Sequence, residues 1–428
     1  MIISTAATNL VILLINFATS ILAARLLGAD GRGQLALVLL YPQMIATMGL
    51  LGLDRGIAIT GGQKRLNYPV ASIVVLVVVL TIPVMLLSYF VIINEVSDPS
   101  LEELSLLYLF YIPALYLFML SGALFNGLGM FFEYNLTRLC FYGSYFVLIM
   151  VFWASDIPRL NGFVYASLLS VYVVMLVSIV FQLKARSRGV IEGRPWVLAN
   201  MVKDLVVIFK KASVFIIPGI LLVVSARLDQ VIVSSYLELK YLGLFVVYMA
   251  FSQLLAPIAN AINVNVFHLG IRNPGDNIGQ LTRLTVFIYM IGSILLALLA
   301  PFLIRLLYGE SYLEHVGSAR VLVFSAFLFF CTKTINEFMM GKSMVRQDVT
   351  ASVIFIAALI SFAYLLIPVL SITGVAISMV AANSLRSLYL VVVFHSSSGL
   401  KISEFLLVRT SDFRWAVLSA RRALKTRI

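Results

Sequence analysis

Residues 69–94 read PVASIVVLVVVLTIPVMLLSYFVIIN, a run without a single charged side chain. About 20 apolar residues cross the hydrocarbon core of a bilayer as a helix, so this run is long enough to span. Its centre, residues 74–80, is VVLVVVL, apolar at every position. A barrel strand would alternate apolar and polar residues, which excludes a β-barrel here. In lipid an unpaired backbone group costs several kcal/mol, and a helix pairs its own groups.

Working outward, eleven further apolar runs can be marked off by short polar breaks. The twelve predicted spans are 4–25, 34–53, 69–94, 104–128, 134–154, 161–183, 212–236, 241–267, 278–304, 316–341, 349–370 and 373–396. The whole composition agrees: of 428 residues, 61% are hydrophobic and 12% charged. Too few charges remain to solvate a globule of this size, so soluble enzymes, disordered tails and secreted disulfide scaffolds are excluded. Cys140 and Cys331 sit inside apolar runs and read as packing residues.

The net charge of +12 would suggest nucleic acid in a soluble protein. In a membrane chain it reports topology, and no nucleic-acid partner is expected. Of the 31 Lys and Arg, 22 fall on the side of the two termini, three lie within spans, and six (Arg25, Arg32, Arg159, Lys240, Arg305 and Arg320) fall on the other side. The positive-inside rule then predicts a multi-pass membrane protein with both termini cytoplasmic.

The longest polar break, 184–211, lies near the middle and is rich in Lys and Arg. It divides the chain into an N-lobe (1–183), a basic cytoplasmic linker (184–211), a C-lobe (212–396) and a basic amphipathic tail (397–428). Six spans per lobe put both halves in the same orientation, so the predicted fold is all-α with two six-helix lobes about a pseudo-twofold axis normal to the membrane. An offset of 210 places Gly33 on Gly243, although identity between the halves is faint. In the tail, Ile402, Phe405, Leu406, Trp415, Leu418 and Leu424 interleave with Arg409, Arg414, Arg421, Arg422 and Lys425. That pattern predicts a helix lying against anionic lipid.

Five ionisable residues fall within spans: Arg227, Asp229, Lys333, Glu337 and Arg386. Each would cost about 2.5 to 3.5 kcal/mol at a lipid-facing helix centre, so each is expected to face the protein or a watery cavity. Three are cations, and arginine suits phosphate because its planar fork donates two parallel hydrogen bonds. Arg386 has no acid in its own span, whereas Lys333 and Glu337, four apart on one helix, can pair. Asp229 is expected to point to a different face from Arg227. The first span offers Thr8, Asn9, Asn16 and Thr19, with Arg25 at its outer end. The Gly-rich run 28–33 follows no strand and reads as a tight extracytoplasmic turn. His268, His315 and His395 are scattered, so no metal site and no cofactor is expected, and no catalytic constellation emerges.

Four stretches carry a resemblance: Ala24-Arg25-Leu26-Leu27-Gly28-Ala29-Asp30-Gly31-Arg32-Gly33-Gln34-Leu35-Ala36; Gly127-Leu128-Gly129 with Tyr134-Asn135-Leu136-Thr137-Arg138; Arg227-Leu228-Asp229-Gln230; and Gly374-Val375-Ala376-Ile377-Ser378. In this order the chain resembles the polysaccharide (O-antigen and exopolysaccharide repeat-unit) flippases of the multidrug/oligosaccharidyl-lipid/polysaccharide exporter superfamily. The resemblance implies a non-enzymatic transporter of a bacterial or archaeal cytoplasmic (inner) membrane that moves a polyprenyl-diphosphate-linked oligosaccharide across it by alternating access. It also implies cationic cavity residues, carried over onto Arg227, Arg386 and Lys333, with Asp229, Glu337, Asn16 and Arg25 as supporting or ion-coupling groups. Polymerases or glycosyltransferases of the same pathway are implied partners, beside membrane lipids. Two other readings remain at this level: a drug or cation antiporter of the same superfamily, and a membrane-bound polymerase or glycosyltransferase using lipid-linked sugars.

Overall fold

The computed structural model describes residues 2–63, 69–155, 157–190, 198–257, 266, 278–342, 344–406, 409 and 412. Residues 191–197 of the predicted linker, most of the end of the eighth predicted span and residues 413–428 of the tail lie outside the described residues. Among the described residues every regular element is helical. They are α1 (Ile2–Gly49), α2 (Leu53–Gly62), α3 (Pro69–Glu95), α4 (Pro99–Leu107), α5 (Tyr111–Gly127), α6 (Phe131–Ala154), α7 (Arg159–Ser187), α8 (Leu198–Ala212), α9 (Ile216–Tyr236), α10 (Leu239–Ser252), α11 (Ile278–Leu307), α12 (Val316–Gly341), α13 (Val345–Ser398) and α14 (Ile402–Leu406).

Two of these are too long to cross a bilayer once. At 1.5 Å per residue, the 48 residues of α1 and the 54 of α13 would each reach more than twice the hydrocarbon thickness. Each is broken at one residue, α1 at Gly28 (φ 68°, ψ −174°) and α13 at Ser371 (φ 51°, ψ −131°). Glycine adopts positive φ at no steric cost. The second break folds α13 back on itself: a Cβ on Gly374 would lie 2.5 Å from the Leu366 carbonyl oxygen, and Arg386 meets Asp348 farther from the bend. Counting α1 and α13 twice, and joining α4 to α5 through the 3-10 turn Tyr108–Phe110, all twelve predicted spans are represented among the described residues. The chain is a multi-pass membrane protein with an all-helical fold.

The expected Gly-rich turn is confined to one residue. Helix resumes at Ala29 and runs through Arg32 and Gly33. Asp30 stands in the first turn of the new helix and Arg25 in the last turn of the old one, each the charge that its helix end favours. Arg32, counted by sequence among the loop cations, is therefore a helical residue.

α3 shows why these helices belong in lipid. Ser72, Leu76, Leu80, Val84, Ser88 and Ile92 form a buried row with a spacing of four, whereas Val78, Ile82, Leu86 and Phe90 form a neighbouring exposed row. The exposed row is the more apolar and carries no hydroxyl. A water-facing helix would place its polar residues outside, so this inversion fits a hydrocarbon solvent.

By internal contacts the chain divides into two compact units, Met1–Val246 and Val247–Ile428. In the first, α5 is the inner helix, with Tyr116, Leu120, Leu124 and Phe125 fully buried. In the second, α12 packs on α11 and α13, and the described part of the tail turns inward. Phe405 is fully buried, its ring 4.9 Å from that of Phe394, which lies 5.9 Å from Phe338. Phe405, expected on a lipid-facing tail helix, is thus a core residue. Asp412 is also buried and accepts from Arg283 at two points, Nε at 2.7 Å and Nη2 at 2.5 Å. Arg283 also donates to the Glu404 carbonyl oxygen. These bonds hold the Asp412 carboxyl below the usual carboxylate range.

Candidate functional site

The first unit contains a cavity of about 240 Å³ built from five helical segments. The first half of α1 contributes Asn16, Thr19, Ser20 and Ala23, spaced three, one and three apart and therefore on one helical face. The second half contributes Arg32, Ala36, Leu39, Leu40 and Gln43, again one face. α9 contributes Arg227 and Gln230, and Tyr145 of α6 and Val246 of α10 complete the wall. Two guanidinium groups thus line a space with amides and hydroxyls, and none of its described lining residues is acidic.

Backbone contact fixes this geometry. A Cβ on Gly33 would fall 1.8 Å from the Leu239 carbonyl oxygen, and one on Gly243 would fall 1.9 Å from the Ala29 carbonyl oxygen. The two glycines that align at an offset of 210 therefore face each other, and the second half of α1 lies directly on α10. Arg32, one residue before Gly33, is set by that contact. Within α9, Arg227 Nη1 donates to Gln230 Oε1 at 3.3 Å, one turn along. Deeper in the unit, Gln43 Nε2 donates to the Tyr108 hydroxyl at 3.0 Å, which lies 2.7 Å from Ser167 Oγ. The Tyr108 ring stacks on Tyr111 with centroids 4.8 Å apart. Gln43 is thereby held by its amide nitrogen.

Asp229 neighbours Arg227 in sequence but does not line the cavity. It is buried, and its Oδ1 accepts from the Gln230 backbone N–H at 2.8 Å. Arg25 is exposed and is also absent from the cavity wall.

The other nominated residues belong to the second unit, where α12 brings Lys333 and Glu337 toward Asp348 and Arg386 from the two arms of α13. The Phe329 ring centroid lies 5.1 Å from the Arg386 guanidinium carbon and 6.0 Å from Lys333 Nζ. Arg386 Nη2 is 4.0 Å from Asp348 Oδ1, which also accepts from Asn336 Nδ2 at 2.8 Å. No acid stands beside Arg386 in its own span, but the hairpin supplies one from the span before. The cluster formally holds two cations and two acids, so its charges balance locally. Buried Arg386 Nε still has no acceptor among the described residues.

A larger cavity, about 390 Å³, lies where α6 ends and α7 begins, lined by Phe152, Trp153, Arg159 and Phe163 among others. Its one described lining cation, Arg159, donates through Nη1 to the Leu26 carbonyl oxygen at 2.9 Å. None of the sequence-nominated residues lines it. Among the described lining residues, the smaller cavity carries two cations to the larger one's single Arg159.

Sequence reasoning missed Arg32, Gln43, Tyr145 and Gln230 in this cavity, and Asp348 beside Arg386. The helical spacing from Arg32 to Gln43 was the available signal, hidden by reading 28–33 as a loop.

No protein-family model and no curated protein sequence matches the chain. Solved structures do match in fold. A multidrug resistance MATE family transporter of the MOP superfamily, inward-facing, aligns at TM-score 0.69 with 17% identity, over 94% of this chain and 98% of that one. The lipid II flippase MurJ in an inward closed conformation aligns at TM-score 0.73 with 14% identity, over 94% of this chain and 89% of that one. A MOP superfamily transporter from Pyrococcus furiosus, described as having a binding pocket of reversed polarity, aligns at 0.63 with 16% identity, over 94% of both chains. At these identities the likeness is one of architecture: the chain has the fold of MOP-superfamily transporters.

Proposed function

We propose that this protein is a flippase for polyprenyl-diphosphate-linked oligosaccharide repeat units, working by alternating access of two six-helix lobes, residues 1–183 and 212–396, joined by 184–211. The observation that carries the reading is the cavity with Arg32 and Arg227 and no acid among its described lining residues. A diphosphate loses much of its hydration on entering a membrane protein, and charge-assisted bonds from two planar guanidinium forks offset that cost. Asn16, Thr19, Ser20 and Gln230 supply the neutral donors and acceptors that sugar hydroxyls require. The polyprenyl tail stays in the bilayer throughout, so the cavity has only to accommodate the polar head.

The cavity wall is drawn from both sides of the 184–211 segment, α1 and α6 before it and α9 after it. Movement of α9 against α1 would separate Arg227 from Arg32 and weaken the hold on the head group. That gives capture on one side and release on the other a common physical basis. In the reading from the Lys/Arg count, capture is on the cytoplasmic side.

A cation antiporter is disfavoured by the same wall, whose described residues offer a positively charged substrate two positive charges and no carboxylate. A proteoliposome experiment separates the two. With a fluorescent polyprenyl-diphosphate disaccharide and a lipophilic cation supplied in parallel, the expected result is protein-dependent translocation of the former. Translocation of the cation alone would refute the flippase reading.

A further inference from the structure

Met201–Tyr236 runs 36 residues as nearly continuous helix and holds a stretch of membrane-like hydropathy, but four charged residues, Lys203, Asp204, Lys210 and Lys211, fall in its first part. That is about 54 Å of helix, nearly twice the hydrocarbon thickness, while the 21 residues of α9 suffice by themselves. A 3-10 turn at Ser213–Phe215 separates α8 from α9. α8 must therefore lie outside the hydrocarbon core or along its surface.

Its two sides differ. Met201, Asp204, Ile208 and Ala212 are buried, against α2 and α3. The approach to α2 is close, since a Cβ on Gly56 would lie 2.8 Å from the Ile208 carbonyl oxygen. Ser72 Oγ of α3 donates to Asp204 Oδ2 at 3.5 Å. On the opposite side Val202, Val206 and Phe209 are 50%, 60% and 41% exposed. At about 100° per residue they form one stripe, with exposed Lys203 and Lys210 along one edge. Lys211 lies farther round the helix. An exposed apolar stripe edged by lysines, attached to a helix that enters the bilayer, matches the polar–apolar boundary of an anionic leaflet.

We infer that the outer face of α8 is a docking surface for anionic phospholipids of the leaflet it meets, which the Lys/Arg count makes the cytoplasmic one. Val202, Val206 and Phe209 enter the acyl boundary, and the lysines contact headgroup phosphates. α8 is seated on α2, which follows the arm of α1 that carries Arg32, and α8 leads into α9, which carries Arg227. α8 thus connects a lipid-facing surface to both helices that hold the cavity arginines, and the lipid bound there is separate from the transported substrate.

The test uses the full chain with Cys140→Ala and Cys331→Ala, a nitroxide at Val206→Cys, and vesicles of phosphatidylcholine with or without phosphatidylglycerol. The expected result is a probe accessible to oxygen and shielded from a water-soluble nickel complex when phosphatidylglycerol is present. Replacing Lys203, Lys210 and Lys211 by Gln weakens that partition by about fivefold per lysine that reaches a headgroup, and high salt has the same direction of effect. A probe equally open to the nickel complex in both vesicles would overturn the proposal, as would one equally embedded without phosphatidylglycerol. Neither outcome bears on the flippase reading, because no transported substrate enters the measurement.

Discussion

Arg32→Gln combined with Arg227→Gln is expected to abolish delivery of the lipid-linked repeat unit, seen as its accumulation on the cytoplasmic side in cells and loss of surface polysaccharide. Each guanidinium offers charge-assisted hydrogen bonds worth about 1.5 to 3 kcal/mol, so each single change should weaken head-group binding by about tenfold or more. The double change leaves a cavity with amides and hydroxyls but no cation. Both substitutions preserve a long polar side chain, and helix packing is unaffected because the close approach at this point belongs to Gly33 and Gly243. Normal detergent-solubilised yield, together with lost delivery, is the signature of a binding defect. Arg25→Gln should change little, because Arg25 does not line the cavity.

Arg283→Met is expected to have the largest effect on stability. It removes the guanidinium and both of its hydrogen bonds from a carboxylate whose side chain is fully buried, leaving Asp412 with the Arg409 backbone N–H as its described donor. Breaking a buried pair in this way costs about 3 to 5 kcal/mol, which should appear as a clear drop in Tm. Asp412→Leu in the same chain should restore much of the loss, because removing both partners of a buried pair is nearly neutral. The pH dependence has a definite sign. The Asp412 carboxyl is depressed in the folded protein, so its contribution is complete above the ordinary carboxylate range near pH 4 and disappears as the pH falls through the depressed value. Between pH 5 and 8 this pair adds no slope, and Arg283→Met should remove the acid-range loss associated with it.

The fold was legible because solvent dictates it. In hydrocarbon every spanning segment needs about 20 apolar residues in a self-paired helix, and that constraint survives in sequence without reference to tertiary contacts. Positions that depend on close approach were less legible. Gly28, Gly31 and Gly33 look alike in sequence, yet Gly28 breaks the helix while Gly33 seats it against α10. Reading all of them as a turn moved Arg32 out of the membrane and out of the site. Asp348 went unnoticed beside Arg386 because a hairpin brings together residues 38 positions apart, and hydropathy does not show which arms face each other. Of the tail pattern, read as a lipid-facing helix, only the part up to residue 412 falls among the described residues. There Phe405 and Asp412 are buried in protein, while α8, inside a segment read as a polar linker, carries an exposed apolar and basic face.

The central claim is that the Arg32 and Arg227 cavity recognises a diphosphate. Its most direct test is the affinity of the purified protein for polyprenyl diphosphate against the matching polyprenol, in wild type and in the double variant. Wild type is expected to prefer the diphosphate by about tenfold or more, and Arg32→Gln with Arg227→Gln to remove the preference. A preference that survives unchanged in a folded double variant would contradict it.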